Sequence, residues 1–264
     1  MFCLVEEGSV VVRLAEFGGS FEIDVRSHIF RRVSSARQYE SELAAIVKRY
    51  IDLGRDAIDV GANVGFFSVL LAKSLDPGRR VLAIEPTPLA VKYLRNNIRR
   101  NEVNDSVLVF EGAAKDVSGP CVLSVIEGKE EYSSLGGIHH CKVQGELSKE
   151  IEVPGSTIDE LVEKYGLSPG FIKIDTEGAE CLVISGAKET IRKYRPVILS
   201  EASEALLADC NCSSEELFAL LRESKYRIVD GYNPRNKVTV PFNGDILAVP
   251  LERGLTPTDE RKRH

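Results

Sequence analysis

The chain has 264 residues, 43% of them hydrophobic and 28% charged, and a formal net charge of −6 at pH 7. That length can bury a substantial core, and the composition is that of an ordinary globular protein. The acidic balance gives no electrostatic reason to expect a nucleic-acid partner, and no apolar run approaches the roughly 20 residues a membrane span needs.

Residues 1–7 carry early acids and no basic region before an apolar stretch, so no signal-peptide pattern is present. Cysteines stand at positions 3, 121, 141, 181, 210 and 212, without a CxxC pair, and Cys210-Asn211-Cys212 is too tight for ordinary zinc spacing. Reduced thiols in a cytoplasmic protein are the expectation.

Residues 9–16 and 21–27 show partial period-two alternation around Phe17-Gly18-Gly19, which predicts a hairpin. Ser35 with Gln38 has the form of a capping box. Leu43, Ile46, Val47 and Tyr50 recur at helical spacing, so a helix is expected from Ser35 to about Gly54. Residues 1–50 are expected to form a lid or flank packed on the core, residues 51–252 the main domain, and residues 253–264 a tail.

From residue 57 strands and helices alternate. Strands are expected over 57–60, 81–84, 107–110, 171–174, 197–200, 227–229 and 246–249, and helices over 66–75, 89–100, 158–165, 179–194 and 215–223. Thr157 with Glu160 and Ser213 with Glu216 are further capping boxes. This alternation implies an α/β fold, a doubly wound, mainly parallel sheet covered on both faces. Ligands in such sheets bind beyond the carboxyl ends of the strands, at the switch point. With the first strand central, Gly61, Glu85, Asp175 and Glu201 should emerge at one edge.

The turn Gly61-Ala62-Asn63-Val64-Gly65 joins the first strand to a helix opening at Phe66. Glycines let the backbone bend tightly and a ligand approach it, and the helix N-terminus suits an anionic group. Glu85 ends the next strand, where nucleotide-binding α/β folds place a carboxylate on the ribose. Between the third and fourth strands, residues 116–156 form an insertion with strands over 121–126 and 151–153. Its loop Glu131-Tyr132-Ser133-Ser134-Leu135-Gly136-Gly137 reads as a substrate cover, with Ser133 and Ser134 as candidate contacts and His139 close behind; a plain surface excursion is the alternative.

The second informative stretch is Lys173-Ile174-Asp175-Thr176-Glu177-Gly178-Ala179-Glu180. Glu180 falls in a first helical turn and reads as structural. Asp175 and Glu177 leave a buried strand beside the cofactor turn, and Glu201 ends the neighbouring strand. Carboxylates gathered there can act as a general base or hold a divalent cation.

Asp59-Val60-Gly61-Ala62-Asn63-Val64-Gly65, Glu85-Pro86, Leu94 with Asn97, Thr157-Ile158-Asp159-Glu160-Leu161 and the block from Lys173 to Glu180 together resemble the FkbM family of S-adenosylmethionine-dependent methyltransferases. Tyr39-Glu40, Arg195-Pro196 and Glu201 fit the same pattern, over about residues 38–250. The resemblance implies a seven-stranded Rossmann-like sheet with its last strand antiparallel. It also implies methyl transfer to a hydroxyl of a carbohydrate, glycolipid, or glycosylated or polyketide small molecule. Carried over, Gly61, Ala62, Asn63 and Gly65 line the methionine part of the cofactor and Glu85 holds the ribose. Asp59, Phe66, Pro86 and Asp175 are further candidates for the cofactor site. Glu40 is expected to reach the cofactor's ammonium or close the lid over it, with a simple exposed helix acid as the alternative. Where the family often has Ala-Leu-Ser-Asp, this chain has Ala113-Ala114-Lys115-Asp116, so the adenine contact stays unassigned.

Asp175 is the expected base, with Glu177 orienting the acceptor. A cation on Asp175, Glu177 and Glu201 is the competing version, and His139 or His140 a third. Among other functions, methylation of RNA is opposed by the acidic charge, the lack of an aromatic-basic strip and the absence of an Asn-Pro-Pro-Tyr-type block; methylation of protein and a non-catalytic cofactor-binding module also stand as alternatives. A nicotinamide dehydrogenase lacks its Gly-x-Gly-x-x-Gly turn and its Tyr-x-x-x-Lys pair here.

Overall fold

The computed structural model describes residues 3–6, 8–126, 128, 132–135 and 147–254. The chain opens with β1 (Cys3–Glu6), β2 (Ser9–Leu14) and β3 (Gly19–Asp24), an antiparallel sheet in that order. The expected hairpin is therefore present, with β1 added as a third strand. Its turn residue Phe17 is fully buried, with its ring 5.3 Å from that of Phe66 and 5.1 Å from that of Phe67. Phe21 packs edge-on to Phe66 at 4.8 Å. Burying each such side chain contributes about 1.5–3 kcal/mol, which joins the hairpin to the helix after the glycine turn.

The next segment corrects the expected helix start. α1 (His28–Ala36) is capped by Ser27, whose Oγ accepts from the Phe30 N–H at 3.1 Å. Ser35 lies in the last turn of α1 and its Oγ donates back to the Arg31 and Arg32 carbonyls, each at 3.0 Å, as helical serines do. α2 (Ser41–Tyr50) begins at Glu40, which has φ 40°, and stops at Ile51, before Gly54.

The core follows as β4 (Asp56–Val60), α3 (Phe66–Ser74), β5 (Val81–Ile84), α4 (Pro88–Arg100) and β6 (Val107–Phe110). β7 (Ala113–Ala114) leads into the insertion, where β8 (Cys121–Val125) and β9 (Lys149–Val153) pair antiparallel, and β10 (Gly155–Ser156) returns to pair with β7. Then come α5 (Ile158–Tyr165), β11 (Pro169–Ile174), α6 (Glu180–Ser185), α7 (Lys188–Tyr194), β12 (Val197–Ser203), α8 (Glu204–Asp209), α9 (Ser214–Glu223), β13 (Tyr226–Asp230) and β14 (Asn243–Pro250).

The main sheet has seven strands in the order β13-β14-β12-β11-β4-β5-β6, and β14 runs antiparallel to both its neighbours. It is the α/β arrangement expected. β4 and β11 are buried along their whole length, as strands covered on both faces must be, and separate apolar clusters lie on the two faces. β4 is paired with β5 on one side and β11 on the other, so the switch point falls between β4 and β11. In register, Val60 faces both Ile84 and Ile174, and Ile174 faces Ser200. Gly61, Glu85 and Asp175, which follow, therefore leave the sheet at one level; Glu201 lies level with them but, against expectation, inside β12, which runs on to Ser203 paired with β14.

The helix expected over 179–194 is broken into α6 and α7. Gly186 lies at the break, where a Cβ would overlap the Lys115 carbonyl oxygen of the passing insertion. Short α8 was not expected. Both later N-caps form: Thr157 Oγ1 accepts from the Glu160 N–H at 3.1 Å and Ser213 Oγ from the Glu216 N–H at 3.2 Å, while the Glu160 carboxylate accepts from Ser118 and Ser156 Oγ and that of Glu216 from Ser213 Oγ, in place of the reciprocal backbone bond. The expectation of reduced thiols is corrected at one pair, since Cys181 and Cys212 form a disulfide between α6 and the turn before α9. Their spacing of 31 residues carries no motif, and only packing of α6 on α9 brings them together. No helix among the described residues is long and apolar enough to cross a membrane.

Candidate active site

A cavity of about 310 Å³ opens at the switch point. At one end it is bordered by Gly61, Ala62, Asn63, Val64 and Phe66, then by Glu85, Pro86 and Gly112–Ala114. The turn is built by backbone conformations that side chains resist: Gly61 has φ 75°, Asn63 φ 48° and Gly65 φ 90°. A Cβ on Gly61 would overlap the Asp175 carbonyl oxygen, and one on Gly65 would come within 2.6 Å of Leu94 Cδ1. The glycines thus let the turn nest against β11 and α4.

Glu85 is 5% exposed. Its Oε2 accepts from the Asn63 N–H at 2.8 Å, and Oε1 from the Thr87 N–H and Oγ1 at 2.9 and 2.6 Å. Burial raises its pKa, opposed by the Thr87 and Asn63 hydrogen bonds. A carboxylate oxygen accepts two hydrogen bonds, so Oε2 retains one acceptor position beside a cavity it lines.

The opposite wall is acidic. Asp175, Glu177 and Glu201 each offer an oxygen within 4.8 Å of the others. Glu180, 1% exposed, shapes the turn that carries Glu177: its Oε1 accepts from Thr176 N–H and Oγ1, both at 2.9 Å, and from Gly178 N–H at 3.3 Å. It is structural, as expected. Glu177 is held at φ 52°, a conformation that costs a non-glycine residue about 1–3 kcal/mol. Burial, then the charges of Asp175 and Glu177, push Glu201 up to about 10. Asp245 sits opposite Glu201 in the β12–β14 register, and burial pushes it up to about 7, Asp175 adding to the rise and the Tyr232 hydrogen bond opposing it.

Lys173 was not expected in the site, yet it lines the cavity and is 4% exposed. Its Nζ donates to Asp175 Oδ2 at 3.0 Å, lies 4.0 Å from Asp59 Oδ1 and stands 4.8 Å from the Phe67 ring centre. Burial alone would drive this ammonium toward neutrality; Asp175, Asp59 and Glu40 outweigh it and keep the pKa above its ordinary value. The available signal was a lone charged residue inside an otherwise apolar strand.

The N-terminal segment supplies the rim, with His28, Ile29, Arg32, Tyr39, Glu40 and Leu43. Arg32 stacks 4.5 Å over the Tyr39 ring and bonds Glu40 at 3.2 Å. Burial raises the Glu40 pKa, as does Asp175, while Lys173 and Arg32 oppose the rise. Tyr232 and Asp245 close the far side. None of His28, Arg32, Tyr232 and Asp245 was singled out from sequence, because no local pattern marks them.

Three expected contacts do not line the cavity. Asp59 is wholly buried beneath it, its Oδ2 accepting from Ser68 Oγ at 2.6 Å. Gly65 turns the backbone behind it. Ser134 Oγ donates to the Glu177 carbonyl at 3.1 Å, bracing the acidic turn, while Ser133 does line the cavity and its Oγ is buried without a hydrogen-bond partner among the described residues. His139 and His140 lie outside the described residues.

The methyltransferase FkbM domain model matches residues 59–228 of this chain. Methyltransferase sdnD of Sordaria araneosa is 25% identical over 191 residues, covering 58% of this chain and 71% of that protein. The ribosomal protein L11 methyltransferase of Chloroflexus aurantiacus is 35% identical over 68 residues, 26% of this chain; the match spans only 20% of that protein's length. The solved FkbM methyltransferase of Methylobacillus flagellatus KT superposes with a TM-score of 0.46 at 18% identity, covering 74% of this chain and 43% of that one.

Proposed function

The chain belongs to the FkbM methyltransferase family, and from that premise we propose that it moves the methyl group of S-adenosylmethionine to a hydroxyl oxygen of a carbohydrate, glycolipid, or glycosylated or polyketide small molecule. The observation that carries this reading is the meeting, in one switch-point cavity, of a glycine turn braced by Glu85 and an acidic wall led by Asp175. Two features support the cofactor. Glu85 keeps an acceptor position for a ribose hydroxyl, and the first turn of α3 leaves N–H groups without intrahelical acceptors, which suit the cofactor's carboxylate. Gly61, Ala62, Asn63 and Phe66 would border the methionine part, and Pro86 with Gly112–Ala114 the adenine.

When bound, the cofactor supplies a methyl group activated by its sulfonium. The chain's own residues hold the acceptor in line and take its proton. Positioning contributes on the order of 7–11 kcal/mol, and a base roughly 10²–10⁴-fold. Asp175 is the base and Glu177 orients the hydroxyl. Glu201, pushed up to about 10, holds its proton at neutral pH and acts as a donor to the acceptor. Arg32, Glu40, Asp245 and Tyr232 at the rim offer the charged and aromatic groups that suit a polyol, and Ser133 Oγ has an unused hydrogen bond.

A divalent cation held by Asp175, Glu177 and Glu201 is the second reading, favoured by the mutual reach of their oxygens; it would acidify the hydroxyl by ligation. Calorimetry with S-adenosylmethionine against NAD tests the cofactor class. A cofactor-consumption screen over sugars, glycolipids and macrolide-like alcohols, with RNA and protein as further arms, tests the acceptor. Binding of NAD in preference, or turnover only with RNA or protein, would replace the proposal.

A further inference from the structure

Every residue of β11 from Pro169 to Ile174 is buried, and one of them is a charged lysine. An ammonium among apolar groups is costly unless it is paired. Two acids are within reach of Lys173: Asp59, its neighbour in the β11–β4 register, with a side chain 0% exposed, and Asp175, with a side chain 38% exposed. A lysine present only to neutralise the interior would give its hydrogen bond to the fully buried acid. The reverse is found. Nζ donates to Asp175 Oδ2 at 3.0 Å and stays 4.0 Å from Asp59 Oδ1, which has no hydrogen-bond partner among the described residues.

Asp175 is already fixed along its backbone. Its N–H donates to the Val60 carbonyl at 3.0 Å, and its own carbonyl packs on Gly61. What remains free is the rotation of its side chain, and Lys173 acts on that rotation. We propose that Lys173 is a positioning residue that ties Oδ2 back to the β4–α3 layer and so aims the other Asp175 oxygen at the place where methyl group and acceptor meet. The inference rests on reading the cavity as an S-adenosylmethionine site. Its physical basis is that a misplacement of about 1 Å can cost on the order of 10²-fold in rate.

The test needs no acceptor. Sinefungin carries an amine where S-adenosylmethionine carries its methyl group, and S-adenosylhomocysteine carries neither. Calorimetry on the full chain should show the parent binding sinefungin roughly tenfold more tightly than S-adenosylhomocysteine, the size of one charge-assisted hydrogen bond. In Lys173→Met that preference should fall to near unity while S-adenosylhomocysteine affinity stays within about threefold, and Lys173→Arg should restore most of it. Removing a nearby cation would by charge alone strengthen binding of the cationic probe, so positioning and simple electrostatics move the preference in opposite directions. If Lys173→Met does not fold, the Lys173→Met/Asp59→Asn pair, which removes the uncompensated buried acid, gives the same readout. An unchanged or increased preference overturns the inference, as does a parent with no preference. A parent that binds neither ligand overturns the cofactor reading itself.

Discussion

The backbone N–H of Asn63 donates to Glu85 Oε2 at 2.8 Å, so the acid proposed to hold the ribose also holds the glycine turn in shape. Replacing it damages both roles. Glu85→Gln should weaken S-adenosylhomocysteine binding by about 1.5–3 kcal/mol, roughly ten- to 150-fold, measured by calorimetry. Unaltered affinity would remove Glu85 from the site.

Gly61 has φ 75° and no room for a Cβ against the Asp175 carbonyl. Gly61→Ala should lower unfolding stability by at least about 2 kcal/mol, combining backbone strain with displacement of β11. The urea midpoint reads this directly, and a midpoint equal to the parent's would show that the turn is slack.

Asp245 has its pKa pushed up to about 7, against about 4 in an unfolded chain. Between those values the folded protein keeps a proton that the unfolded chain has lost. Its share of stability is therefore fully present below about pH 4, falls as pH rises through 7, and is gone above. Asp245→Asn should flatten that part of the stability–pH curve and leave the variant more stable than the parent at pH 8. Denaturant unfolding from pH 4 to 8 tests it, and parallel curves for the two proteins would refute it.

With an acceptor in hand, Asp175→Asn should lower kcat by roughly 10²–10⁴-fold and leave S-adenosylhomocysteine affinity nearly unchanged, while a chelator leaves the parent's turnover unaltered. Loss of turnover with chelator, restored by added Mn²⁺ or Mg²⁺, would install the cation reading. Near-normal rates in both conditions would remove both.

The stretches that were legible in sequence share one property: their pattern is local. Strand periodicity, the glycine turn of Gly61 and Gly65, and capping at Thr157 and Ser213 all act within a few residues, and each stands in the structure as expected. Ser35 misled because serine and glutamine at capping-box spacing also occur where a helix ends. The real cap, Ser27, lacks the partner acid at its third position. The need for glycine at the break is invisible locally, since what excludes a Cβ at Gly186 is the carbonyl of Lys115.

By itself the sequence determined the α/β class, the glycine turn of Gly61 and Gly65 and the acids that follow β5 and β11, because strand and turn chemistry are encoded in short-range periodicity. Tertiary structure alone decided which acids share a wall, that Asp59 lies beneath the cavity, and that Arg32, Tyr232 and Asp245 reach the rim. It also decided that Lys173 bonds Asp175 and leaves Asp59 Oδ1 unbonded. The reason is physical: burial, and with it the strength of every charge in this site, depends on strands far apart in the chain lying side by side.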